Sequence, residues 1–290
     1  MRRIIAAGLP ASGKSSFIAA LTYLLNAKEL QTRLTLASLS GDEKHLQALE
    51  HEWLGVKPLP RTQRTNEHWG QFNVRDTRTG DTAELLVPDM RGELFEQPAT
   101  IGGCQRALWE SLLDCDGMML FTNVDRPDDD HMACDMANAV ATIVAANSEA
   151  VAAPTTVNVD PFQASSMPEE SKLVELLQAM NRWPIASKLR RIALVLSAWD
   201  VVPVRAQEDP ISWLAKHRPM LDQFLESNSD LWDVRVYGVS ALGGRLPQDQ
   251  ARLLDVEIAG QRIRIVGADT EAHDLTVILH WLMQSPTTHG

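Results

Sequence analysis

Cysteine is scarce in this chain. Cys104, Cys115 and Cys134 are the only three in 290 residues. They lie far apart with no Cys-x-x-Cys pair, so neither a disulfide framework nor a zinc site is expected. Their expected place is as small core residues in a reducing cytoplasm. Basic residues are outnumbered as well: 27 Lys and Arg against 38 Asp and Glu give a formal net charge of −11. That balance argues against general nucleic-acid binding, which needs clustered cations to neutralise phosphates. Long apolar runs are missing too. Met1-Arg2-Arg3 followed by Ile4, Ile5, Ala6 and Ala7 has the look of a leader, but Gly8, Pro10, Ser12, Gly13 and Lys14 break it too early for a secretory core. The alanine-rich stretch from Ala137 to Ala153 contains Asn138, Asn147, Ser148 and Glu149 and is a poor candidate to span a bilayer. A soluble, cytoplasmic protein without a membrane span is expected. None of the eight histidines stands in His-Glu-x-x-His and no serine in G-x-S-x-G, which counts against a zinc hydrolase and a serine hydrolase. The acidic run Asp125, Asp128, Asp129, Asp130 with His131 lacks the spacing of a calcium loop and reads as a solvated turn.

What remains is an ordinary globular composition, 44% hydrophobic and 22% charged, with a length that carries a soft prior of two domains at about 150 residues each. Short apolar runs predict strands at Arg3 to Ala7, Leu34 to Leu39, Met118 to Phe121, Ile192 to Leu196 and Val234 to Val239. Phe72 to Arg75 and Ala83 to Val87, joined through Thr79-Gly80-Asp81, predict an antiparallel hairpin. Phe17, Leu21, Leu24 and Leu25 recur at helical spacing after Ser15. Further helices are expected at Lys44 to Trp53, Met132 to Ala146 and Glu169 to Met180, with a closing helix marked by Leu275, Ile278, Leu279 and Leu282. Leu254 to Ile258 and Arg262 to Val266, split by Gly260, predict a small hairpin. Strands alternating with helices indicate an α/β fold with an open, mostly parallel sheet.

Gly8-Leu9-Pro10-Ala11-Ser12-Gly13-Lys14-Ser15 fits G-x-x-x-x-G-K-S/T, between a strand and an amphipathic helix. A loop of this length wraps a β-phosphate with backbone N–H groups turned inward, and the helix that follows adds its own free donors and positive dipole end. Lys14 is placed to reach the β- and γ-phosphates and the Ser15 hydroxyl to ligate magnesium, with Gly8, Ala11, Ser12, Gly13 and Ser16 completing the cradle.

Four further segments follow in order. Loop residues Leu59 to Thr65 carry two hydroxyls, Thr62 and Thr65, and two cations, Arg61 and Arg64. Leu85 to Glu93 is a strand running into D-x-x-G, with Asp89 placed for a magnesium water, Gly92 for the γ-phosphate and Glu93 as an acid that can orient water. Ser197-Ala198-Trp199-Asp200 stands at a strand end, where Asp200 can accept two hydrogen bonds from a guanine edge. Ser240-Ala241 follows the last core strand, with the Ala241 N–H free to meet a guanine carbonyl.

Carried by these motifs from Arg3 to about Gly244, the chain resembles the Ras-like, TRAFAC-class GTPases, and among them the bacterial double-GTPase families. The resemblance implies a P-loop NTPase three-layer sandwich with one antiparallel hairpin strand. It implies GTP hydrolysed to GDP and phosphate with Mg2+, with Thr65 or Thr62 as a magnesium ligand that closes over the γ-phosphate and Arg61 or Arg64 as an internal arginine finger. It also implies a nucleotide-dependent switch read by an effector or activating protein, and a place in a bacterial conflict or defence system. The chain departs from the N/T-K-x-D pattern: Ser197 replaces Asn or Thr, and Ala198 replaces the lysine. Trp199 is either a substitute cover for the base or part of the core. The reading is one GTPase-like domain over residues 1–290, with an insertion at about 126–190 and a hairpin plus helix at about 251–284. A P-loop ATPase or kinase, and a non-hydrolysing pseudo-GTPase scaffold, are the alternatives.

Overall fold

The computed structural model describes residues 1–41, 43–59, 70–88, 92–125, 167–182, 188–203 and 209–286. The expected helix at Met132 to Ala146 and most of the 126–190 insertion lie outside them, as do Thr62, Thr65, Arg61, Arg64 and Asp89.

Eight strands form one sheet: β1 (Arg2–Gly8), β2 (Leu34–Gly41), β3 (Gly70–Asp76), β4 (Thr82–Val87), β5 (Gly117–Asn123), β6 (Arg190–Ser197), β7 (Trp232–Ser240) and β8 (Arg264–Gly267). Their order is β2-β3-β4-β1-β5-β6-β7-β8. The four central pairings, β4 with β1, β1 with β5, β5 with β6 and β6 with β7, are parallel. The expected β3–β4 hairpin is antiparallel, with Phe72 opposite Leu85, and β2 and β8 add antiparallel edges.

The middles of β1, β5 and β6 are continuous apolar runs, Ile4 to Ala7, Met118 to Phe121 and Ile192 to Leu196, because both their faces are covered. Alternate residues feed opposite layers. Ile4, Ala6, Met119, Phe121, Ala193 and Val195 face one layer, where helices α1 (Lys14–Ala27), α2 (Glu43–Leu54) and α9 (Thr276–Met283) contribute Phe17, Leu46 and Leu279. Ile5, Ala7, Met118, Leu120, Ile192 and Leu194 face the other. There α3 (Glu93–Ile101), α4 (Arg106–Asp114), α5 (Glu169–Ala179), α6 (Pro210–His217) and α7 (Pro219–Ser227) supply Phe95, Leu112, Leu173, Trp213 and Leu221. The result is the expected three-layer sandwich.

One expected element is absent. Residues 254–258 are not the first arm of a hairpin: Gln250–Leu254 is a short helix, α8, followed by a 3-10 turn at Ala259–Arg262. The second arm is strand β8, and it pairs with β7, Val239 opposite Ile265. An open sheet edge offers a row of backbone donors and acceptors, whereas an isolated two-stranded hairpin is marginal in water, so the apolar segment joins the edge. No helix among the described residues is long and apolar enough to cross a membrane.

Candidate functional site

The C-terminal ends of β1, β5, β6 and β7 open into a cleft of about 890 Å³, where parallel α/β sheets place their ligands. Of the residues expected from sequence, Ala11, Ser12, Gly13, Lys14, Ser15, Ser16, Glu93, Ser197, Asp200, Ser240 and Ala241 all line it. Four segments remote in sequence therefore share one cavity.

At one end, β1 passes into the glycine loop and α1. Gly13 sits at φ 87°, left-handed backbone that favours glycine, immediately before the helix. The first turn of α1 carries no acid, so its N-terminal donors and dipole are left to an incoming anion. Lys14 is buried at 2% exposure. Its Nζ donates to the Gly8 carbonyl at 2.6 Å, the Leu9 carbonyl at 2.9 Å and the Ser12 hydroxyl at 3.3 Å, and lies 5.9 Å from the Phe95 ring centroid of α3. A polyphosphate would offer this ammonium stronger, charge-assisted acceptors.

The loop is anchored by its carbonyls. The Ser197 hydroxyl donates to the Ser12 carbonyl at 2.8 Å, and the Asn123 side-chain amide donates to the Ala11 carbonyl at 3.0 Å. Ser197 thus joins the end of β6 to the phosphate loop, and the fit is close: a Cβ on Gly13 would stand 2.5 Å from the Ser197 side chain. Gly8 and Gly92 are not in the cleft lining; they pack together behind the loop. A Cβ on Gly92, itself at φ 83°, would collide with the Gly8 carbonyl and the Leu9 backbone. The D-x-x-G glycine therefore touches the phosphate loop directly. Glu93 opens α3 at the cleft wall, exposed to solvent.

At the other end, Asp200 lies in a 3-10 turn, Trp199–Val201, entered through Ala198 at φ 57°. Ser240 Oγ donates to Asp200 Oδ1 at 2.5 Å and accepts from the Gly243 N–H at 3.1 Å. A carboxylate has about four acceptor sites, so this bond orients Asp200 and leaves capacity for two ring donors. The Ala241 carbonyl accepts from the Trp53 indole of α2 at 2.9 Å, which turns the Ala241–Leu242 loop into the cleft.

Trp199 belongs to the core and does not cover the cleft. Its ring packs on Gly238, where a Cβ would overlap it, and meets Trp213 edge-on at 6.3 Å. Asn123, Arg245 and Gln248 line the cleft without having been singled out in the sequence. Asparagine at a strand end and arginine five residues past Ser240 match no motif, and only the folded loops bring them there. Asp125, which reads as a solvated acid in the sequence, lines the cleft too.

Magnesium is tested here by donor chemistry. Among the described residues no three His, Cys, Asp or Glu side chains gather as a metal-binding group. A magnesium ion bound with a nucleotide uses few protein ligands besides phosphate oxygens and waters, and Ser15 presents a hydroxyl on the lysine's helix at the cleft wall. The residues present fit such an ion.

A glycine phosphate loop on a mostly parallel sheet, with an oriented aspartate across the same cleft, defines a P-loop nucleotide-binding protein of the GTPase class. The family follows from comparison. The Double-GTPase 1 (DO-GTPase1) model matches residues 5–282, and the chain belongs to that family; a guanine nucleotide is the ligand of the class. A search of curated proteins gave no match. Among solved structures, the chain is similar to the cytosolic domain of the T. maritima FeoB iron transporter in its GMPPNP form, at 12% identity and TM-score 0.32, over 89% of this chain and 65% of that one. It is also similar to the G domain of T. maritima FeoB, at 15% identity and TM-score 0.33, over 87% of this chain and 95% of that one. The GTP-bound GTPase-like domain of S. cerevisiae Ski7 is similar at 11% identity and TM-score 0.42, over 84% of this chain and 43% of that one. The chain thus spans less than two thirds of the first and third of these.

Proposed function

We propose that the chain binds GTP with Mg2+ in this cleft, hydrolyses it to GDP and phosphate, and acts as a nucleotide-dependent switch. The observation that carries the reading is the joint position of Lys14 and Asp200 on one cavity, with Ser197 tying the strand end of the second to the loop of the first. The loop amides and Lys14 bind and orient the β- and γ-phosphates; Asp200 and Ala241 select guanine by its edge. Ser15 holds the magnesium ion, together with Thr65 or Thr62 and with Asp89 through water. When bound, that ion neutralises charge on the β- and γ-phosphates. Water attacks the γ-phosphorus, the bond to the β–γ bridging oxygen breaks, and GDP leaves with the electron pair while the water's protons end on the products. Glu93 orients that water and Arg61 or Arg64 offsets the charge that develops.

Loss of the γ-phosphate releases the loops at 62–65 and 89–93, and a protein partner reads the difference there or at the 126–190 insertion. On this reading residues 1–290 are one GTPase domain, working in the cytoplasm, in a bacterial conflict or defence system.

The test is binding of labelled GTP and ATP with magnesium, followed by phosphate release. GTP is expected to bind preferentially, Asp200→Ala to erase the preference and Lys14→Ala to abolish turnover. Equal or better binding of ATP would instead favour an ATPase or kinase. Tight GTP binding without turnover would favour a non-hydrolysing scaffold, and normal hydrolysis by Glu93→Ala would remove that residue from the mechanism.

A further inference from the structure

The base end of the cleft is bounded on one side by Ala198, whose methyl group gives a flat ring little to rest on. An ion pair crosses this region. Arg245, in the loop after β7, reaches Asp125, in the loop after β5, with Nη2 3.3 Å from Oδ1. Strand β6 lies between β5 and β7 in the sheet. The pair therefore spans two strand spacings, about 10 Å, and passes over the end of β6, where Ser197 and Ala198 stand. Both side chains are about half exposed, 56% and 52%, so the pair adds little to folding stability and its cation is within reach of a ligand.

Both ends of the bridge are fixed. The Arg245 N–H donates to Asp249 Oδ2 at 2.9 Å and its carbonyl accepts from the Asp249 N–H at 2.8 Å. Arg252 braces the same loop through the Gly243 carbonyl at 3.0 Å. The Asp125 N–H donates to Asn123 Oδ1 at 2.8 Å, and Asn123 in turn holds the Ala11 carbonyl of the phosphate loop.

Resting on the reading of this cleft as a guanine-nucleotide site, we propose that Arg245 closes the nucleobase pocket, its planar guanidinium lying against the purine face that Ala198 leaves bare, with Asp125 holding it across the cleft. A guanidinium stacks on an aromatic plane by cation–π attraction and through its own flat, weakly hydrated surface, which an ammonium matches only in part. Such a contact reads the face of the base and is indifferent to its edge. Asp200 reads the edge.

The experiment measures release and affinity of fluorescent GDP and ADP with magnesium on the full chain. Arg245→Ala should speed GDP release and raise its Kd about fivefold to tenfold, with the thermal midpoint unchanged because the side chain is exposed. The same factor should apply to ADP, so the guanine preference stays while affinity falls; Asp200→Ala does the reverse. Arg245→Lys should recover part of the loss. Ala198→Lys in the Arg245→Ala background should recover most of it, by covering the ring from the other wall. Asp125→Ala should act in the same direction more weakly, and Asp125→Glu should restore it. GDP release by Arg245→Ala within twofold of wild type, with the Asp200-dependent preference intact, overturns this proposal alone. A wild-type protein that shows no Asp200-dependent guanine preference overturns the underlying reading with it.

Discussion

Replacing Ser197 by alanine removes one hydroxyl and tests whether the end of β6 holds the phosphate loop. The bond to the Ser12 carbonyl is 2.8 Å long and buried, Ser12 at 1% and Ser197 at 7% exposure. Loss of the donor forfeits a net hydrogen bond and leaves a buried carbonyl short of a partner, which together cost about 1–2 kcal/mol. In a domain of this size that lowers the melting temperature by about 3–6 °C. If the same bond sets the loop for phosphate, as the proposed function requires, a free energy of that size loosens GTP by about fivefold to thirtyfold. Scanning calorimetry and a GTP titration on one preparation measure both quantities, with Ser197→Thr as the hydroxyl-retaining control. A melting temperature within about 1 °C of wild type together with unchanged GTP affinity would show that the loop is held by other contacts and would refute the argument.

Gly238→Ala places a methyl group inside the Trp199 ring; overpacking of this kind costs about 1–3 kcal/mol, visible in urea denaturation, and a milder loss would mean that the Trp199 turn shifts freely. Trp53→Phe keeps an aromatic ring at this position but removes the indole donor to the Ala241 carbonyl, so guanine affinity should fall severalfold while affinity for inorganic pyrophosphate is retained, as a comparison of GDP with pyrophosphate checks. The third concerns acid. Burial alone would raise the Asp76 carboxyl, but the Thr79 and Arg78 N–H groups and His280 more than offset it, and it is held below the ordinary carboxylate range. Its contribution is present above the unfolded pKa of about 3.9 and is lost as pH falls through the lower folded value. Asp76→Asn should therefore flatten the decline of stability below about pH 4 while lowering stability at pH 7, read from urea midpoints across that range.

Where local pattern and global packing agree, the sequence was informative. β1, the glycine loop and α1 carry their own punctuation, and the continuous apolar runs of β5 and β6 announce strands covered on both faces. The C-terminal segment is not legible locally, because a run as short as Leu254 to Ile258 suits a strand or a helix end equally and the edge that captures β8 lies in β7, where Ser240 pairs with Arg264. Trp199 left two roles open because nothing local shows that Gly238, one strand over, vacates the space its ring occupies. Asn123 and Arg245 were invisible for a similar reason: each acts through a backbone carbonyl or a carboxylate more than a hundred residues distant. Ser197 departs from the N/T-K-x-D pattern, yet its hydroxyl makes a tie to the phosphate loop that the pattern does not describe.

The anchoring of the phosphate loop through its carbonyls has a consequence for how the site tolerates change. Ser197, Asn123 and Lys14 all grip main-chain oxygens, at Ser12, Ala11, Gly8 and Leu9, and every residue type supplies that atom. Mutational drift at Pro10 leaves those grips in place, whereas Ala11, at φ 57°, takes only residues that accept left-handed backbone, and the three gripping side chains have no latitude at all. A saturation library should accordingly accept substitutions at position 10 and reject them at Ser197, Asn123 and Lys14, and at Gly13, where a Cβ would meet the Ser197 side chain.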